Sequence, residues 1–334
     1  MASNETFQVI LGRLRDVTRP VPMASLYHLS DLPEAELAAL EALWPELSTE
    51  RRESIIQNLH EISEANLEVS FESVFRMAID DESSEVRAVA IRGLWESEDP
   101  NLMGPFVKFM QQDPDPLVRA AAASGLGRYV FLGELEELTP AQTLRIEESL
   151  LEVIHGDDEL EVRRRALEAL AYSSRPEVEP LITAAYASNE AKMRISAVFA
   201  MGRTSSAKWA PQVLQELENL EPEMRFEAAR AAGEMELVDA GPALAELAED
   251  PDRQVHEAAI WSLGQLGGEF AREALTQLLE QADDEDTQDF IEEALENLDY
   301  TDEVQAFSLM EFEPGADDLG LDEEDLAAGE DEPE

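Results

Sequence analysis

VRAVAIRGLW, residues 86–95, returns with small changes as VRAAAASGLG at Val118, VRRRALEALA at Val162, MRISAVFAMG at Met193, MRFEAARAAG at Met224 and VHEAAIWSLG at Val255. The steps between copies are 32, 44, 31, 31 and 31 residues. A period in this range marks one supersecondary unit that cannot bury its apolar face alone and therefore stacks on copies of itself. Degenerate copies at RRESIIQNL, residues 51–59, and at 287–298 bring the array to about eight units. The one long step has a visible source, the stretch GELEELTPAQTLRIEES at residues 133–149.

Each phrase reads as a helix. Taking its first residue as position 0 and turning 100° per residue, positions 0, 4, 7 and 8 share one arc. That arc holds Val86, Ala90, Gly93 and Leu94 in one copy and Val118, Ala122, Gly125 and Leu126 in the next, so it is the expected buried face. Gly127, Gly202, Gly233 and Gly264 at the phrase end are expected to be left-handed helix stops. Opposite the arc, positions 2 and 6 carry Arg92, Arg164, Ile195, Phe199, Phe226, Arg230 and Trp261. Large apolar and arginine side chains on a polar face dominate binding interfaces, which makes these seven the candidate partner-binding residues. Packing of the aromatics between neighbouring repeats is the competing reading, because periodicity alone does not separate the two.

A second helical segment precedes each phrase, and Pro105, Pro180, Pro211 and Pro242 each stand 14 residues before position 1. Proline is tolerated in a first helical turn, where its missing amide would be unpaired anyway. Each unit is thus a helical hairpin. Six residues before position 1 come Asp81, Asp113, Asp157, Ser188, Asn219 and Asp250, at the turn and in place to cap the second helix. The cations Arg87, Arg119, Arg163, Arg194 and Arg225 recur in step with them, and a charge-assisted ladder between adjacent repeats is expected.

The chain has 75 acids against 24 bases, a formal charge of −51, and no cysteine. From Gly233 onward there are 34 acids and only Arg253 and Arg272, so the acidity gathers at the C-terminal end. A field of this sign repels nucleic acid and anionic membranes, and the missing thiols exclude disulfides, thiolate zinc sites and a nucleophilic cysteine. No apolar run approaches a membrane span, so the expectation is a cytoplasmic protein. The expected division is a helical cap and linker at 1–30, a solenoid at 31–300 and an acidic tail at 301–334. The last stretch is too charged to order itself, and its Leu319, Leu321 and Leu326 form an acidic-hydrophobic patch.

The period, the Asp-to-Val-Arg spacing, the first-helix proline and the alanine-rich second helix resemble HEAT repeats, in particular the short type found in phycobilisome lyase proteins. The resemblance covers roughly residues 31–300. It implies an all-α fold, a right-handed α/α superhelix of helical hairpins, whose second helices line a concave binding face. A HEAT-like oxygenase, deoxyhypusine hydroxylase, holds iron on four matched His-Glu pairs; this chain has two, His60-Glu61 and His256-Glu257, at non-equivalent places. No phosphate loop, GxSxG elbow or HExxH appears. The expectation is therefore a non-catalytic, monomeric scaffold without cofactor, binding a protein partner, a basic one if total charge decides. A bilin lyase-like chromophore chaperone is the alternative.

Overall fold

The computed structural model describes residues 2–156 and 158–311. Among them there are eighteen α-helices and no strand, and no helix is long and apolar enough to cross a membrane. The chain divides into two compact units, Met1–Thr204 and Ser205–Glu334. In the first, α1 (Ala2–Arg15) and α2 (Met23–Leu26) precede five hairpins: α3 (Glu34–Leu43) with α4 (Thr49–Ala65), α5 (Glu72–Ala78) with α6 (Ser84–Arg92), α7 (Met103–Gln112) with α8 (Pro116–Glu134), α9 (Pro140–His155) with α10 (Leu160–Leu170), and α11 (Val178–Tyr186) with α12 (Ala191–Arg203). The second holds three: α13 (Ala210–Glu216) with α14 (Pro222–Glu234), α15 (Gly241–Leu247) with α16 (Arg253–Leu266), and α17 (Gly268–Gln281) with α18 (Glu285–Glu311). The count of repeats read from the sequence is the count of hairpins.

Within each unit the phrase helices stack in chain order, α4 on α6, α8, α10 and α12 in the first and α14 on α16 and α18 in the second. Their expected core residues, including Val86, Ala90, Leu94, Val118, Ala122 and Leu126, are buried. Full burial of each Val or Leu contributes about 1.5–3 kcal/mol. The four prolines lie in the first turns of α7, α11, α13 and α15. At the start of the chain α1 buries Phe7, Ile10, Leu11 and Leu14, and Arg51 of α4 ties the following loop down through the carbonyls of Asp16 and Arg19. At the other end α18 runs past residue 300 to Glu311. The rest of the expected tail, with Leu319, Leu321 and Leu326, lies outside the described residues.

The phrase-end glycines do not stop helices. Gly127, Gly202, Gly233 and Gly264 sit inside α8, α12, α14 and α16, and the only glycines with positive φ among the described residues are Gly267 and Gly268. Their smallness serves helix contact: a Cβ on Gly233 would stand 2.9 Å from Ser262 Cα, and one on Gly264 2.7 Å from Ala294 O. Reversal falls instead two residues beyond the helix, at Glu136, Ser205 and Glu236, with φ of 60°, 46° and 50°. Around Glu236 the amide of Leu237 reaches Ala232 O at 2.9 Å and that of Glu236 reaches Gly233 O at 3.0 Å, the paired bonds of a Schellman ending. A side chain in that conformation is strained, so Glu236→Gly should raise stability by about 1 kcal/mol in urea unfolding. A neutral or destabilising result would mean that the Glu236 side chain compensates the strain.

The ladder is present at Arg87, Arg119 and Arg225 but not at every expected rung: Arg163 Nε finds no hydrogen-bond partner among the described residues, and Arg194 reaches only its own turn. Arg87 meets Asp113 of the next turn through Nε at 3.0 Å and Nη2 at 2.9 Å, and Arg225 meets Asp250 the same way at 2.8 and 3.0 Å. Nη1 of Arg87, Arg119, Arg194 and Arg225 turns back to the carbonyl six residues earlier, at Asp81, Asp113, Ser188 and Asn219. Each such arginine therefore staples its own turn, and Arg87 and Arg225 also join two repeats. The series begins one unit earlier than expected, with Arg52 against Asp81 at 2.8 Å. Arg119 meets Asp158, and Asp157 lies outside the described residues. The capping assignment also moves. Asp81, Asp113 and Asp250 accept the amide two residues on, at 2.9, 2.9 and 2.8 Å, while the caps of α6, α8 and α16 are those following residues, Ser83, Asp115 and Asp252.

Candidate functional site

The inserted stretch at 133–149 leaves α8 with 19 residues and α9 with 16, where α6, α10 and α12 have 9, 11 and 13. The long α8 carries Arg128 and Phe131 beyond the end of its phrase. Phe131 meets Tyr172, just after α10, edge to face with ring centroids 5.8 Å apart. From α12, Arg203 lies 5.3 Å from the Tyr172 ring and 4.9 Å from that of Phe199, and Arg128 lies 5.6 Å from Phe131. Such cation–ring contacts are worth about 0.5–1 kcal/mol each when exposed, and they hold long side chains in fixed positions.

These groups, with Trp95, Ser124, Arg165 and Glu168, line a cleft of about 400 Å³ inside the first unit. Trp95 is 58% exposed. It borders a second hollow of about 240 Å³, lined by His60, Glu64, Arg92 and again Ser124. Burial is the main influence holding the His60 imidazole below its ordinary pKa, against the pull of Glu64 3.6 Å away, so the ring is neutral over a wider range of pH. Burial likewise leads in lowering Arg92, and the charge of Arg165 adds to it against Glu85 and Glu64. Burial also opposes the charge on Arg165, but there Glu168 and Glu161 outweigh it and raise the pKa.

Of the seven residues expected to bind a partner, the structure brings Arg92 and Phe199 to these adjoining hollows. Arg164 and Ile195 leave the exposed stripe: both are buried, and Arg164 is held by Glu161 at 2.5 and 2.8 Å and by Glu168 at 3.0 Å. Phe226, Arg230 and Trp261 belong to the second unit and are half-buried there. The Arg230 guanidinium stands 5.9 Å from the Phe226 ring and 3.2 Å from Glu234.

The physical reason is that each phrase helix is covered by its hairpin partner and by the phrase helices before and after it. Position 2 meets the next repeat, where Arg164 reaches Ser196 at 3.3 Å, and the open face lies around positions 6 and 10, at 240° and 280°. Arg128, Tyr172 and Arg203 are all at position 10, one turn beyond position 6, and Phe131 is at position 13. The spacing of Arg128, Phe131 and Arg203 is legible in the sequence once α8 and α12 are followed past the tenth residue, whereas Tyr172 stands beyond the end of α10. Trp95 and Arg165, at positions 9 and 3, carry no such signal.

The two histidine pairs also stay apart in role. His60 faces Glu64, and Nδ1 of His256 lies 2.5 Å from the Ala248 carbonyl, in the place where other repeats put the ladder arginine. Among the described residues no group of three His, Asp or Glu side chains is gathered closely enough to hold a metal ion.

A profile of HEAT repeats matches residues 72–143, 147–220 and 210–298. Among solved structures, the complex of CpcE and CpcF of phycocyanin lyase from a Nostoc species aligns with 80% of this chain and 96% of that one, at 16% identity and a TM-score of 0.51. YibA of Escherichia coli aligns over 70% and 93% at 18% identity and 0.40, and human deoxyhypusine hydroxylase over 80% and 97% at 19% and 0.36. No curated protein sequence matches the chain significantly.

Proposed function

The chain belongs to the HEAT-repeat family, and we propose that it is a non-catalytic scaffold that docks a protein partner in the arginine-and-aromatic cleft of its first unit. One observation carries this reading. Four aromatic rings and three arginines from four successive hairpins converge on a single cleft, and Trp95 at its edge is left 58% exposed. An aromatic anchor in a partly enclosed, arginine-lined hollow is the usual composition of an interface hot spot. The cations are fixed by the rings and by Glu98, Glu161 and Glu168, so little side-chain order has to be gained on binding.

A photoreactive phenylalanine analogue placed at the exposed Ser124 tests the reading in the native cell. One dominant cross-linked protein is expected, and Trp95→Ala in the same chain should weaken its binding by about 2 kcal/mol, roughly thirtyfold, while shifting folding stability by no more than about 0.5 kcal/mol. Labelling without a dominant product, or a product indifferent to Trp95→Ala, would overturn it. A coloured adduct on co-expression with a bilin and a phycobiliprotein subunit would replace the scaffold reading with chromophore attachment.

A further inference from the structure

Although the chain is strongly acidic, the charged side chains that line the cleft are mostly arginines, two of which, Arg128 and Arg165, are also paired with Glu98 and Glu161. Arg128, Arg165 and Arg203 line it against Glu168 alone, and the adjoining hollow adds Arg92 against Glu64. Glu168 is bound to Arg164 at 3.0 Å and to Arg165 at 2.8 Å, so its charge is already met. Arg92 differs from its neighbours. Its guanidinium is half-buried, and among the described residues its side chain takes no hydrogen bond and no ion pair. It feels the repulsion of Arg165, and the two hollows these arginines line share Trp95 and Ser124.

A half-buried cation that feels Glu64 and Glu85 only at a distance, with no carboxylate in hydrogen-bond contact, is an unfavourable arrangement that an incoming anion relieves. We infer that the partner is an acidic peptide segment, with a carboxylate seated at Arg92 on the side of Arg165 and an adjacent aromatic or aliphatic side chain placed among Trp95, Phe131, Tyr172 and Phe199. This reverses the basic partner expected from total charge, because contact electrostatics are decided within a Debye length of about 8 Å at physiological ionic strength. The third hollow that Trp95 borders, toward Leu67 and Phe71, carries Glu72 and Glu96, so it extends the surface for uncharged residues of the segment while its carboxylate belongs at the arginines. Phosphate-dense nucleic acid is the weaker match, since its charges run on past the four arginines that line the two hollows and it offers no side chain for the aromatic cleft.

The inference rests on the docking reading, and its test is separable from the cross-link at Ser124. Calorimetric titration of the full-length protein with a random glutamate–tyrosine copolymer should show saturable binding that weakens with salt. Poly-glutamate should bind less tightly, and a lysine–tyrosine copolymer and oligothymidine should not compete. Arg92→Gln should lower copolymer affinity about tenfold with an unchanged melting temperature, and Arg92→Lys should recover part of it. Equal binding by Arg92→Gln, preference for the lysine–tyrosine copolymer, or equal competition by oligothymidine would each overturn the acidic-peptide assignment. If the copolymer fails while the Ser124 cross-link persists and depends on Trp95, the scaffold stands and only the partner chemistry falls. If the cross-link is absent too, both fall.

Discussion

Replacing Asp81 with alanine should destabilise the first unit by about 3–5 kcal/mol, the range found when one partner of a buried ion pair is removed. The Asp81 side chain is 3% exposed and that of Arg52 9%, so solvent does little to screen their 2.8 Å contact. Asp81 also accepts the Trp44 indole N–H at 2.7 Å and the Ser83 amide at 2.9 Å. Its loss strands a buried guanidinium, a buried indole donor and the turn before α6 at once. Asp81→Asn separates the contributions: its single amide oxygen keeps the bond from the Ser83 amide, while the charge and the indole's acceptor at the other oxygen are lost, and it should cost less than alanine. The double variant Arg52→Met/Asp81→Leu should be more stable than Asp81→Ala, because neither charge is then left buried alone. Urea unfolding followed by circular dichroism, with hydrogen exchange on α3 to α6, reads all three. A loss below about 1 kcal/mol for Asp81→Ala would show the ladder to be decorative.

Gly264→Ala should destabilise the second unit by about 1–3 kcal/mol, although glycine to alanine inside a helix ordinarily stabilises by up to about 1 kcal/mol. The added Cβ would meet Ala294 O at 2.7 Å and Ala294 Cα at 3.2 Å, both backbone atoms that have no rotamer to change. Helices α16 and α18 would have to separate, opening the contacts around Leu263, Ile291 and Leu298. Gly12→Ala in α1 is the control, since nothing lies within 4 Å of its added Cβ, and it should be neutral or stabilising. The thermal unfolding temperature should therefore fall for Gly264→Ala and hold or rise for Gly12→Ala. A stabilised Gly264→Ala would mean that the helices slide apart without cost, and close approach would no longer explain why this glycine stands in the phrase.

Much of this molecule could be read from the order of its residues. The period returned the hairpins, the prolines returned the starts of the first helices, and the recurring acid and arginine returned the ladder, including the fact that it joins neighbouring repeats. These features depend on spacing along one chain, and spacing is what a sequence displays. The glycine at the phrase end misled because smallness and left-handed freedom belong to the same residue. Only the position of Gly264 against Ala294 shows which property is used. The capping assignment missed by two residues because Asp81 and Ser83 can both accept a backbone amide, and the hydrogen bonds alone distinguish them.

The cleft divided the same way. Arg92 and Phe199 are visible in the sequence as large side chains on a polar face, but Arg164, which the same wheel puts on the surface, is enclosed by Glu161, Glu168 and Ser196. A helical wheel drawn on one helix has one buried side, whereas a helix inside a stack is covered from several directions, and the remaining open face is rotated from the expected one. The residues themselves determined that this chain is a stack of helical hairpins held in register by an acid–arginine ladder. Only the tertiary structure decided where its surface becomes a site, because Trp95, Phe131, Tyr172, Phe199 and their arginines come from four different hairpins, and even those at a shared position become neighbours only when helix contact sets each one's rotation.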